Sequence, residues 1–233
     1  MSIIKTDVIV LKSIKYGDTS KIVTLYSKDL GKVKAIIKGA RNYKSGMSGI
    51  FQTLNFLSVI IYFKESREIQ NLSKAEFITS FKNITEDFDK LQIALRVIEI
   101  INKSLPDMDP NPELFKIASV FFTGINNPDS DNKLLLLNFQ IEFLKISGMY
   151  PDLKDVQKNF ETLKNNTEFN LNDEDINFLL KLSDSKTSEE TISNERSNYN
   201  VSKISDCFSS YIVNHNSTKI FFKTDKVFRE INK

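Results

Sequence analysis

Of the 233 residues only one is cysteine and only one is histidine. Cys207 therefore has no partner for an intrachain disulfide. With His215 as the sole imidazole, the chain holds neither a Cys/His zinc set nor the Ser/His or Cys/His pair of most hydrolases, unless another chain supplies the missing groups. Cys207 lies on an apolar-periodic segment and reads as a small buried hydrophobe rather than a reactive thiol. A run of about 18 apolar residues is absent, and the first residues lack the basic, apolar, small-residue order of a secretory signal. Nothing in the sequence points to a membrane, and the cytoplasm is the expected compartment. A glycine-rich phosphate loop is also missing. Asp107, Asp109, Asp129 and Asp131 are close in sequence but stand on Pro/Asn-rich connections, where helix capping and solvation explain carboxylates better than a metal does. No reactive constellation emerges, so the expectation is a protein that is not an enzyme and needs no cofactor.

What is present is a chain with 40% hydrophobic and 27% charged residues, enough apolar surface for a real core. Its net charge of +2 hides an uneven division. Residues 1–81 hold 13 Lys/Arg against 6 Asp/Glu, whereas residues 82–233 hold 19 against 24. A basic module joined to an acidic one suggests that the first faces a polyanion, and nucleic acid is the commonest intracellular one.

Residues 1–81 read as strands: short runs rich in Val, Ile, Thr, Phe and Tyr are broken by turn residues at intervals of about ten. The candidates are 4–14, 21–27, 32–38, 54–64 and 69–77, punctuated by Gly17 and Asp18 and again between Asp29 and Gly31. Five antiparallel strands in so short a segment avoid exposed edges by closing into a small barrel, of the OB type or, as its main competitor, the SH3-like type. Along the third strand Lys32, Lys34 and Lys38 alternate onto one face with Ile36, and Val33, Ala35 and Ile37 onto the other. After Lys38 come Gly39, Ala40, Arg41, Asn42, Tyr43 and Lys44, in which cations, small residues and one aromatic interleave. The face and loop suit backbone phosphates, and equally suit a solvated strand face kept charged against edge pairing. Tyr43 is placed either to stack on a base or simply to stand in solvent.

Beyond residue 81 the period becomes helical. Phe88, Leu91, Leu95, Ile98, Ile101 and Leu105 recur at three and four, with Glu86 and Asp87 in the favourable first turn and Pro106 ending the run. Asn111 before Pro112 reads as an N-cap with proline at the first helical position, followed by Leu114, Ile117, Phe121 and Ile125. Asp131 is placed to cap a third helix with Leu136, Phe139, Phe143 and Ile146 on one face, ending at Gly148. Three amphipathic helices imply a bundle. A short helix over 173–182, a polar loop over 183–200, a helix around Ile204 to Ile212 and a short final one over 226–231 complete the reading. The fold class expected is α+β, with a barrel over 1–81 followed by a helical domain over 82–233 that carries a polar excursion at about 154–200.

One ordered set, Tyr16, Gly17, Asp18, Ile22, Val23, Thr24, Leu25, Tyr26, Gly31, Lys32, Ile37, Lys38, Gly39, Ala40 and Arg41, resembles the N-terminal OB domain of the RecO recombination mediators. A second, with Phe139, Glu142, Leu144, Gly148, Tyr150, Pro151, Asp152 and Leu153, resembles the central helix of that family and the turn after it. The resemblance implies an OB barrel on a helical C-terminal domain. It also implies binding of single- and double-stranded DNA, annealing of complementary strands, and contact with RecR and with the tail of single-stranded DNA-binding protein to load recombinase in bacterial DNA repair and recombination. The basic surface of the family falls on Lys34, Lys38 and Arg41, to which the face pattern adds Lys32 and Lys44. If five cations each meet a phosphate of a single strand, log affinity should fall with log salt with a slope of about −3.5. Two departures stand out. Many relatives carry four zinc-binding cysteines in the region after the Pro151 turn, whereas this chain has no cysteine between Asp152 and Asp206, so apolar packing by Phe160, Leu163 and Phe169 is expected to take over. Arginines that help receive the acidic tail are replaced by Leu135, Leu136, Leu137 and Asn138, leaving Lys133 and Lys145 as nearby cations. Read without the resemblance, the same residues also allow an interaction scaffold or an RNA-binding barrel.

Overall fold

The computed structural model describes residues 1–42, 49–151, 171, 173–183, 199–215 and 230. Five strands open the chain: β1 (Ser2–Tyr16), β2 (Ser20–Ser27), β3 (Gly31–Ile37), β4 (Phe56–Phe63) and β5 (Ile69–Thr79). They close into a barrel in the order β1-β2-β3-β5-β4. All pairs are antiparallel except β3 with β5, which closes the ring through Lys34–Ile69, Ala35–Gln70 and Ile36–Asn71. That arrangement is the OB barrel rather than its SH3-like competitor.

β1 is long enough to serve both sides of the barrel. Its first half, Ser2 to Ile9, pairs with β4 and its second half, Val8 to Tyr16, with β2. Between Val10 and Lys12 the register slips by one residue, a β-bulge at Leu11. Val8 and Val10 therefore point into the barrel while Lys12 and Ile14, two and four residues on, belong to its outer surface. Inside, Val8, Val10, Val23, Leu25, Val33, Ala35, Ile37, Leu57, Val59, Ile61 and Leu72 form one cluster joined by Phe51 and Ala40. Each fully buried aliphatic in it contributes about 1.5–3 kcal/mol of transfer free energy.

Among the described residues six helices follow: α1 (Lys82–Glu86), α2 (Phe88–Ser104), α3 (Pro112–Ile125), α4 (Asn132–Ile146), α5 (Asp173–Ser183) and α6 (Val201–His215). Asp87, Asn111 and Asp131 cap α2, α3 and α4, each carboxylate or amide oxygen accepting from a backbone N–H three residues on. Pro112 occupies the first helical position of α3. Compact packing divides the chain into two units, the first containing Met1–Pro128 and the second within Asp129–Phe221. The first unit thus holds α1, α2 and α3 together with the barrel, while α4 lies in the second.

Within the first unit, α3 lies over outward residues at one end of the barrel. Phe115 meets Tyr26 at 5.7 Å and Phe56 at 5.9 Å between ring centroids. The Tyr26 hydroxyl donates to Asn111 O at 3.2 Å, and burial, with a smaller contribution from Asp109, raises its pKa. Within the second unit α4 packs on α6, and Leu136, Leu137, Phe139, Phe143 and Leu144 of the first and Ile204, Phe208 and Ile212 of the second are buried. Buried Gln140 donates to Ser209 Oγ at 2.7 Å and Ser205 O at 3.1 Å, and accepts from Ser205 Oγ at 2.9 Å. Cys207 is buried here, and desolvation, reinforced by Asp175 and Asp206 against Lys203, pushes its thiol up to about 11. The segment around Phe160, Leu163 and Phe169, most of the polar loop and the final helix expected over 226–231, apart from Glu230, lie outside the described residues.

Candidate nucleic-acid interface

The cationic positions read from the third strand fall into different environments. Lys32 has a side chain only 13% exposed. Its ammonium donates to Leu105 O at 2.6 Å and Asn102 O at 2.9 Å, and stands 3.1 Å from Asp107 Oδ1. An ammonium has three N–H donors, and all three are taken, two of them by carbonyls at the C-terminal end of α2 where a positive charge is stabilised by the helix dipole. Lys34 is exposed and pairs with Asp107 Oδ2 at 3.2 Å. Partial burial alone would raise the pKa of Asp107, but hydrogen bonds and charge from Lys32 and Lys34 outweigh it and hold the carboxyl below its usual range.

Lys38 and Arg41 share one turn after β3. Gly39 takes φ +71°, a left-handed conformation that favours glycine, and the small side chain of Ala40 is fully buried against the barrel core. The two cations on either side are left at the surface. Arg41 N–H donates to Thr19 O at 2.8 Å and its guanidinium to Gly17 O at 2.8 Å, tying this turn to the one between β1 and β2. One of five guanidinium N–H groups is used in that contact. Lys38 is exposed and makes no ion pair among the described residues. Tyr43 and Lys44 lie outside the described residues.

Register places further residues beside these. Lys12, Thr24 and Lys34 face one another across β1, β2 and β3, and so do Ile14, Ile22 and Ile36. Tyr16 pairs with Ser20, and alternation puts Lys38 in line with that pair. The outer face of three adjacent strands therefore carries a cationic row, an aliphatic row and a row of Tyr, Ser and Lys. Rows lie about 7 Å apart along the strands and neighbours about 4.8 Å apart across them. Ile14 is 46% and Tyr16 54% exposed. Isolated exposed apolar residues are ordinary, but exposed Ile14 in register with half-buried Ile22 and Ile36, between cations, makes a surface suited to bases and phosphates together. Lys12, Ile14 and Tyr16 are not among the site residues read from the sequence, because the bulge at Leu11 moves the second half of β1 onto the opposite face.

A five-stranded OB barrel with a mixed cationic and aliphatic outer face, continued by helices, defines a class of candidate nucleic-acid-binding proteins. Comparison with known families narrows it. Residues 1–81 match the family described as Recombination protein O N terminal, and residues 85–196 that described as Recombination protein O C terminal. The chain belongs to the RecO family. It is similar to proteins named DNA repair protein RecO from Salinibacter ruber (32% identical over 150 residues, 64% of this chain and 58% of that one) and Prosthecochloris aestuarii (30% over 177, 76% and 67%). A third, from Chlorobium limicola, is 33% identical over 151 residues, 65% of this chain and 58% of that one. The matched stretch thus spans between a little over half and two thirds of these relatives' length. No helix among the described residues is long and apolar enough to cross a membrane.

Proposed function

We propose that this chain is a DNA repair and recombination mediator whose barrel, residues 1–81, binds DNA on the outer face of β1, β2 and β3. The observation that carries the reading is the registered surface just described, with exposed Ile14 and Tyr16 between Lys12 on one side and Lys38 and Arg41 on the other. Cations on such a face neutralise backbone phosphates and release counterions, while aliphatic and aromatic side chains receive unstacked bases. A face that contacts backbone rather than base edges has little sequence preference. By screening two strands at once it lowers the repulsion that slows annealing. Family membership supports the finer reading: binding of both single- and double-stranded DNA, strand annealing, and work with RecR to load recombinase onto coated single strands. Of the two cations considered for the tail of single-stranded DNA-binding protein, Lys133 is the exposed candidate, since Lys145 pairs with Glu142 at 2.8 Å and lies over the Tyr150 ring.

The test is fluorescence anisotropy of a labelled single-stranded oligonucleotide at several salt concentrations, with wild type and Lys38→Glu/Arg41→Glu. Tight, salt-sensitive binding is expected for wild type. The double variant should lose most of it, with a salt slope flatter by about 1.4 from two lost phosphate contacts. Equal, weak binding by both proteins would remove the DNA site and favour a protein-binding scaffold; preferential competition by RNA would reassign the ligand.

A further inference from the structure

Residues 105–111 join α2 to α3 and cross the start of β3. Met108 N–H donates to Lys32 O at 2.9 Å, and Lys32 and Asp107 form a parallel bridge. The backbone of Asp109, its carbonyl group foremost, fills the space a Cβ on Gly31 would need. Backbone contacts therefore fix where Asp107 stands, whatever its side chain does. That side chain bridges two ammonium groups, one carboxylate oxygen on Lys32 and the other on Lys34. Lys32 has two helix carbonyls besides. Lys34 has no other charged partner among the described residues, is exposed, and stands in the cationic row with Thr24 and Lys12.

A carboxylate with its two oxygens on separate ammonium groups occupies the place a bridging phosphate would take. On the reading that this face binds a nucleic-acid backbone, we infer that Asp107 is a built-in phosphate mimic that withholds Lys34 from the ligand. Because the segment is anchored, the carboxylate acts at high effective concentration and a single incoming phosphate does not displace it. A strand then engages Lys12, Lys38 and Arg41 but not Lys34, and the face holds DNA more weakly than its cation count suggests. Weak holding suits a protein that must bring strands together and then release them.

The test uses the full chain and the same labelled oligonucleotide with wild type, Asp107→Asn, Lys34→Gln, the Asp107→Asn/Lys34→Gln double variant and Lys38→Glu/Arg41→Glu. Asp107→Asn should bind about two- to fivefold tighter at low salt, the range of an exposed ion pair released. Its salt slope should steepen by about 0.7, one added phosphate contact. Lys34→Gln should change little in the wild-type background and abolish the gain in the Asp107→Asn background. Unchanged affinity in Asp107→Asn overturns the inference, and so does a gain that persists without Lys34, which would reflect only the loss of a negative charge. Should Asp107→Asn melt below wild type, Asp107→Ser in the same cycle provides the comparison. If wild type and Lys38→Glu/Arg41→Glu bind alike, the DNA reading itself fails and the mimic with it.

Discussion

Lys32 directs its ammonium at the carbonyls of Asn102 and Leu105, so its charge belongs to the helix end rather than to a ligand. Replacing it with methionine keeps the aliphatic stem and removes the donors. The expected loss is about 2 kcal/mol, read as a lower midpoint in urea or thermal unfolding, with a DNA salt slope equal to that of wild type. Lys38 should show the reverse pattern, an unchanged midpoint and a flatter slope. Glycines separate in the same way. Gly31 has φ +67° and the Asp109 backbone against it, whereas Gly39 has φ +71° with nothing within 4 Å of an added Cβ. Gly39→Ala should therefore cost about 1–2 kcal/mol, the price of a left-handed backbone alone, while Gly31→Ala should cost more than about 3 kcal/mol or displace the 105–111 segment. Equal costs in chemical denaturation would show that the close approach relaxes freely.

At the scale of elements, strands and helices were legible because their periods are local. The alternation of Lys32, Val33, Lys34, Ala35, Ile36 and Ile37 appears directly as faces of β3, and the Asn111–Pro112 and Asp131 caps stand where spacing put them. What could not be read depends on distance or on counting. Lys32 and the carbonyls it meets are 70 and 73 residues apart, and Lys90, buried, donates to Asn127 O near the end of α3. Nothing near either lysine in sequence announces such partners. α4 was read as having one apolar face, yet Leu137, Gln140, Ile141 and Leu144 are buried as well as Leu136, Phe139 and Phe143. Gln140 is hidden because two serines of α6 satisfy its amide, a match no periodicity reveals. The site was half legible. Lys38 and Arg41 stand out beside a glycine and an alanine with clear backbone and packing duties, whereas Lys12 and Ile14 required knowledge of the bulge.

For the molecule as a whole, the barrel is not covered by its own strands alone. Ile9, Tyr26 and Phe56 point outward from it, and α3 lies over that surface through Phe115. A fragment ending at residue 81 would expose Ile9 and Tyr26 and deprive Lys32 of its acceptors. It should unfold well below the full chain or without a cooperative transition in circular dichroism; a fragment melting like the intact protein would make the helices dispensable to the barrel. The bulge at Leu11 has a different consequence. Below it the inward positions of β1 fall on Val8 and Val10, and above it the outward ones fall on Lys12 and Ile14, all even-numbered. Loss of that extra residue would leave Val10 facing in and Lys12 and Ile14 facing out by ordinary alternation, still opposite Thr24 and Ile22, while β1 lost the bend and added twist that the bulge gives it. In this stretch the tally of residues sets the curvature of β1 rather than the identity of its faces, and deletion of Leu11 should lower the unfolding midpoint while leaving Lys12 and Ile14 on the outer surface.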